Sequence, residues 1–227
     1  MISTQFLQNC QAGDEEAIET LVRTHQRGVF QLALSILDDA PLLNSAGEAG
    51  TENGQGSAAQ VNKLAAISIS EAAAEAELAT FETFNAALDR LGHYREDIPF
   101  TLWLYGIALE VTRRRKRRWK LRQWWQNLTG KPATQGLEAF SNQPLSERHG
   151  AVPEPPAFLP GDMEMWSAVR SLDEKLRIPV VLHYYHEFPI DQIALLMHLS
   201  EGAVHARLDA AREKIGKSLE NSPRARS

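Results

Sequence analysis

An all-α chain, built as two small helical blocks joined by a linker, is what this 227-residue sequence predicts. Three observations carry that expectation. Apolar residues recur at helical spacing over several long stretches, which makes one buried face per helix. No segment alternates apolar and polar residues with the period of two that a half-buried strand needs. Between Thr129 and Gly161 lie six of the eleven prolines and four glycines with no apolar period, which reads as a linker. By the coil relation its ends sit about 30 Å apart.

The first long helix is expected to start at Asp14 as N-cap and to run to about Leu37, burying Ile18, Leu21, Val22, Val29, Leu32, Ala33 and Ile36. Residues 38–67 hold Pro41 and glycines 47, 50, 54 and 56, and read as a flexible insertion. Across 38–82 eight acids face one base, Lys63, so an acidic insertion shielding a basic helix is one expectation. Helical pattern resumes at Ser70, a candidate N-cap, and continues to about Leu91, with Leu78, Phe81, Phe84, Leu88 and Leu91 as its stripe. Pro99 then opens a helix whose apolar side is Phe100, Trp103, Leu104, Ile107, Ala108 and Val111. Beyond the linker, Met163–Ser171 and Asp173–Tyr185 read as helices. Ile190–Met197 and Ser200–Leu219 read as a helix-turn-helix, opened by Pro189, turned at His198-Leu199 and capped by Ser200. Ile193, Ala194, Leu196, Leu199, Val204 and Leu208 form its expected core.

Composition is that of a folded protein, 43% hydrophobic and 23% charged, so wholesale disorder is excluded. The net charge of −5 argues against nucleic acid only until it is resolved along the chain. Residues 113–122, RRRKRRWKLR, hold 8 of the 24 basic residues and no acid, which leaves −13 on the rest. A helix carrying Arg113, Arg114, Arg115, Lys116, Arg117 and Arg118 is expected to present cations around its circumference to phosphates, in a salt-dependent and sequence-blind way. Trp119, Trp124 and Trp125 suit stacking on unpaired bases, and Tyr94 or His93 suits holding a flipped base. For at least two of the tryptophans, packing against the first block is the expectation.

The single cysteine, Cys10, excludes an intramolecular disulfide and any multi-cysteine metal site, and reads as a small, partly buried side chain. The N-terminal stretch lacks a signal-peptide pattern, no apolar run spans a bilayer, and the chain reads as cytoplasmic. His183, His186 and Glu187 are spaced as metal ligands could be, but no third and fourth ligand follows at fixed spacing. No phosphate-cradling glycine loop and no nucleophile–base pair is present, so the expectation is no enzyme, no cofactor, no catalytic residue and no metal.

Four segments carry a family likeness. Residues 15–37 (EEAIETLVRTHQRGVFQLALSIL), 76–88 (AELATFETFNAAL), 100–118 (FTLWLYGIALEVTRRRKRR) and 172–215 (LDEKLRIPVVLHYYHEFPIDQIALLMHLSEGAVHARLDAAREKI) resemble, in this order, the conserved regions of an extracytoplasmic-function sigma factor of bacterial RNA polymerase. The resemblance implies a region 2-like helical bundle at 1–128, a linker at 129–161 and a region 4-like helix-turn-helix at 162–227. It implies promoter DNA and core RNA polymerase as partners, an anti-sigma protein as a further one, and no membrane. Glu77, Phe81, Glu82 and Asn85 would face the polymerase. Arg113–Arg118 and Tyr94 would meet melting DNA. Ser200, His205, Arg207, Arg212 and Lys214 would serve the helix-turn-helix.

His205, Ala206 and Ala210 stand where the family pattern has basic or hydroxyl residues, and alanine cannot donate to a base edge. The affinity for DNA is therefore expected to come mostly from the first block. Two further readings stay open. One is a sigma-like interaction protein that binds polymerase or another regulator without reading promoters. The other takes the Arg/Trp helix end as an interfacial membrane segment.

Overall fold

The computed structural model describes residues 4–38, 57–129 and 160–220; every described regular element is helical. The chain divides into two compact units, residues 1–33 with 76–156 and residues 34–75 with 157–227.

The first unit opens with α1 (Thr4–Ala12), a helix with no counterpart in the sequence reading. It ends at Gly13, whose φ of +85° is a left-handed turn that glycine adopts without strain. Asp14 then caps α2 (Glu15–Leu37) as expected: its Oδ1 accepts from the backbone N–H groups of Glu16 at 3.0 Å and Ala17 at 3.1 Å. Cys10 is buried, and burial pushes its thiol pKa up, as befits a packed side chain. α2 buries Leu21, Val29, Leu32, Ala33 and Ile36, close to the expected face.

α3 runs Ser57–Arg90 and so begins thirteen residues before the expected cap at Ser70. The stretch 57–69 is rich in alanine with Leu64 and Lys63, and has no glycine or proline after Gly56. Helix propensity continues the helix there without an apolar period to announce it. The part of the 38–67 insertion at 39–56 lies outside the described residues. The buried face of α3 also differs from expectation. It is made of small residues, Ala72, Ala76, Ala79, Thr83 and Ala87, together with Phe84, while Leu78, Phe81 and Leu88 are half-buried. Thr80 and Thr83 turn their hydroxyls back onto the carbonyls of Ala76 and Ala79, so neither is buried unbonded.

After a single 3-10 turn at Leu91–His93 comes α4 (Phe100–Thr129), which Pro99 precedes. α3 and α4 lie antiparallel. Arg90 grips Glu110 with two hydrogen bonds, 2.8 and 3.2 Å, and farther along Arg115 reaches Glu82 at 2.5 Å. Leu104, Ile107, Ala108 and Val111 are buried on α4, matching the expected side. Trp103 is half-buried and joins Tyr94, Phe100 and His25 in one aromatic cluster with centroid distances of 5.2–5.8 Å. Burial lowers the His25 pKa, so that ring stays neutral near pH 7.

The second unit holds α5 (Pro160–Arg170), α6 (Glu174–Val180), a π-turn at Val181–Tyr185, α7 (Ile190–Met197) and α8 (Glu201–Glu220). α5, α6 and α7 all pack against α8. Their shared core is Ile178, Leu182, Ile193, Ala194, Val204 and Leu208. Arg177, almost fully buried, donates to the Arg170 carbonyl at 2.8 Å and so ties α6 to the end of α5. Arg170 in turn donates to the buried Asp38 at 2.7 Å. Pro189 stands at the N-cap of α7, and the Ser200 Oγ accepts from the Ala203 N–H at 3.2 Å to cap α8.

His198 closes the helix-turn-helix with φ +54°, ψ +49°. An L-residue in that left-handed well is strained, and the exposed imidazole makes no buried contact that would offset it. His198→Gly is expected to stabilise the protein by about 0.5–1 kcal/mol, the relieved strain being partly offset by the greater unfolded-state freedom of glycine. Urea melts with an unchanged m-value check it; a loss of stability would show that the ring contributes packing.

Candidate nucleic-acid interface

The basic segment folds as the C-terminal half of α4. With 3.6 residues per turn, positions 114, 117, 118, 121, 124, 125 and 128 share one face. All seven are exposed: Arg114, Arg117, Arg118, Leu121, Trp124, Trp125 and Leu128. The opposite face carries Thr112, fully buried, and Lys116, 6% exposed. The cations are therefore not equally presented: Arg114, Arg117 and Arg118 are exposed on one face while Lys116 is buried, which corrects the expectation of charge presented around the circumference. Burial of the α4 seam on its neighbours accounts for it. Arg115 is half-buried and spent on Glu82 at 2.5 Å, and Arg118 reaches the other oxygen of Glu82 at 3.3 Å. Arg113 is half-buried.

The tryptophans correct a second expectation. Trp124 and Trp125 are 57% and 53% exposed instead of packing inward, with ring centroids 6.0 Å apart; Trp119 is half-buried. Leu121 and Leu128 are each 64% exposed on the same face. A groove of about 600 Å³ runs along it, lined by Glu82, Arg115, Arg118, Leu121, Arg122, Trp124 and Trp125. Sequence reasoning missed Leu121, Arg122 and Leu128. Their spacing from the tryptophans was the available signal, since 121, 124, 125 and 128 repeat at i, i+3, i+4 and i+7.

Tyr94 sits just before α4 with its hydroxyl donating to the Ile98 carbonyl at 2.7 Å and its ring edge-on to Phe100. Burial, then the nearby Glu96 and Asp97, raise its pKa, so it remains a neutral phenol. His93 beside it is exposed. The residues expected to face the polymerase lie on α3. Asn85 is exposed, Phe81 and Glu77 are half-buried, and Glu82 is held by the two arginines. Burial raises the pKa of Glu77.

On α8 the exposed face holds Gly202, His205, Ala206, Asp209, Ala210 and Glu213. Arg207 is half-buried. Arg212 donates to the Tyr184 hydroxyl at 2.8 Å and to Asp209 at 2.6 Å, while its guanidinium lies 5.8 Å from the Tyr184 ring centroid. Lys214 bonds Asp173 at 3.0 Å. Two of the five residues assigned to this helix-turn-helix therefore have carboxylate partners within their own unit, and Ser200 is a cap.

The His183 Nδ1 lies 3.1 Å from the Phe188 carbonyl, and burial lowers the His186 pKa to about 4, which leaves that ring neutral against Tyr185. Among the described residues no group of three His, Cys, Asp or Glu is placed to hold a metal, and no helix is long and apolar enough to cross a membrane.

Residues 162–215 match the family described as Sigma-70, region 4. Along nearly its whole length the chain is similar to the RNA polymerase sigma-H factor of Pseudomonas aeruginosa. The two are 24% identical over 220 residues, covering 95% of this chain and 93% of the relative. Two solved structures share the fold. One is CnrH in complex with the cytosolic domain of CnrY, with a TM-score of 0.51 and 20% identity over 96% of this chain and 97% of that one. The other is the sigma factor RpoE of Bartonella quintana in complex with the anti-sigma factor NepR, with a TM-score of 0.55 and 13% identity over 89% and 96%. The helical order, the matched region and the full-length relative agree with the resemblance of the four segments to the extracytoplasmic-function sigma factors.

Proposed function

We propose that this chain directs core RNA polymerase to promoters and helps open the DNA for transcription initiation, as a cytoplasmic, non-catalytic subunit. The observation that supports this best is the cationic stripe Arg114, Arg117 and Arg118, exposed on one face of a helix whose sequence resembles the family's DNA-facing segment. Guanidinium groups on one helix face can hold a phosphate backbone without reading sequence, while the other face stays packed. In this reading residues 1–128 form the polymerase- and strand-binding block, 129–161 the linker and 162–227 the promoter-reading block. Glu77, Phe81, Glu82 and Asn85 face the polymerase, Arg113–Arg118 and Tyr94 the opening DNA, and Ser200, His205, Arg207, Arg212 and Lys214 the upstream element. An anti-sigma protein is a further proposed partner.

The α8 face favours a second reading in one respect. Its exposed positions offer Asp209 and Glu213 to DNA, and its Arg212 and Lys214 bond carboxylates nearby. A chain that binds polymerase but does not read an upstream element would look like this.

Purified chain added to core polymerase is expected to yield run-off transcripts from at least one genomic promoter, found by mapping transcription starts after overexpression. Polymerase binding without initiation at any promoter would favour the second reading instead.

A further inference from the structure

The last residues of α2 fall in the same compact unit as the helix-turn-helix block, while the rest of that helix falls in the other. Ser35, Ile36, Leu37 and Asp38 are each 5% exposed or less. A carboxylate is unfavourable in that place. Asp38 follows the last turn of α2, where unsatisfied carbonyls already leave a partial negative charge. Arg170 compensates it from 132 residues away: its Nη2 donates to Oδ1 at 2.7 Å, and its Nε lies 2.5 Å from Oδ2. Arg170 itself stands in the last turn of α5, so one guanidinium serves the negative ends of two helices. Arg177 holds the Arg170 backbone in place, donating to its carbonyl at 2.8 Å.

We propose that Asp38 and Arg170 form a latch that holds the free chain closed, with the helix-turn-helix block fastened to the end of α2, and that this latch must break before the chain engages core polymerase. A linker whose ends lie about 30 Å apart lets the two blocks reach separate promoter elements, and the latch forbids that reach while it is shut. A buried two-point ion pair suits such a task. Desolvation of the two charges offsets most of their attraction, so closure is favoured only modestly while both partners are present. With one partner gone, the other is buried without a counter-charge and closure becomes strongly unfavourable. The two sides are unequal. Asp38, with 6% of its side chain exposed, cannot rehydrate without leaving its site, whereas Arg170, with 24% exposed, can turn towards water. Loss of the arginine is therefore the stronger trigger. The proposal rests on the sigma-factor reading only in saying what opening serves.

The test uses the whole chain, first without polymerase and then with it, so that failure of the latch and failure of the sigma-factor reading are separate results. Arg170→Gln is expected to move the closed-to-open ratio about a hundredfold or more towards open. Small-angle scattering reads this as a rise of about 3 Å or more in the radius of gyration. Asp38→Asn is expected to give a smaller rise. Asp38→Asn with Arg170→Gln removes both charges together and is expected to restore most of the closure, the opposite of two independent losses adding up. Circular dichroism verifies the helix content of each variant; Arg177 still ties α6 to the Arg170 carbonyl, so the helix-turn-helix is expected to stay folded. Against core polymerase, Arg170→Gln is expected to bind about fivefold or more tighter than the parent, because the competent form is no longer a minor population. An unchanged radius in Arg170→Gln would overturn the latch, as would a double variant that opens further than either single one. Expansion with unchanged polymerase affinity would overturn its restraining role. If neither the parent nor any variant binds polymerase, the sigma-factor reading falls, and the scattering result still decides the latch.

Discussion

Charge reversal of Arg114, Arg117 and Arg118 to glutamate is expected to abolish promoter opening, with run-off product down by about a hundredfold or more. All three side chains are exposed on one helix face. Each reversal both deletes a cation and sets a carboxylate against a phosphate, so the effect exceeds simple neutralisation. Salt dependence reports the same ion pairs independently. Removing one arginine–phosphate pair lowers the slope of log K against log salt by about 0.7–0.9, so the triple variant is expected to lose about 2 from that slope. Arg118 also bonds Glu82, and its reversal would place two carboxylates side by side. The double variant Arg114→Glu/Arg117→Glu avoids that clash and is expected to show most of the effect. Arg115→Gln supplies the contrast. Its guanidinium is only 12% exposed and bonds Glu82, so its loss should lower the melting temperature and leave the salt slope almost unchanged. A reversal variant that initiates normally would remove the stripe from the mechanism.

The distinction between Arg114 and Arg115 was not legible in the sequence. Six consecutive cations look equivalent in one dimension; only the folded packing of α4 buries Lys116 and turns Arg115 onto Glu82 of α3. The same holds for α8. Arg212 and Lys214 read as DNA-binding side chains, but their partners Tyr184 and Asp173 lie 28 and 41 residues away in sequence, beyond the reach of any local pattern. What local chemistry controls was legible. Asp14, Pro189 and Ser200 mark helix starts because an unsatisfied backbone N–H or an absent one needs such a residue there, and all three stand where expected. The His198 turn falls in the same class. The buried face of α3 escaped because it is mostly alanine and threonine, which carry almost no hydrophobic signal although they let a neighbour approach closely. Trp124 and Trp125 inverted the usual expectation that large aromatics pack inward. That inversion is what makes their face a candidate binding surface.

Leu208→Ala is expected to be the most damaging single substitution outside the basic stripe. Leu208 is 1% exposed on α8, the helix against which α5, α6 and α7 all pack. Truncating a fully buried leucine costs about 2–5 kcal/mol, the forfeited transfer energy plus the cavity left behind. A unit of this size has a total stability of only about 5–10 kcal/mol, so the helix-turn-helix would be largely unfolded at growth temperature. Relaxation into the cavity is restricted, because Ile193 from α7 and Ile178 from α6 are themselves fully buried. Circular dichroism is expected to show an early melt of part of the helical signal. Salt-sensitive DNA binding, proposed to rest on the cationic face of α4, is expected to persist through that first transition. Persistence would support the proposed boundary near 129–161, whereas simultaneous loss of both signals would mean that the chain folds as one cooperative body. Ala206→Leu, on the exposed face of the same helix, is the matched control: it adds apolar bulk where no neighbour is displaced and should leave the melt within about 0.5 kcal/mol of the parent.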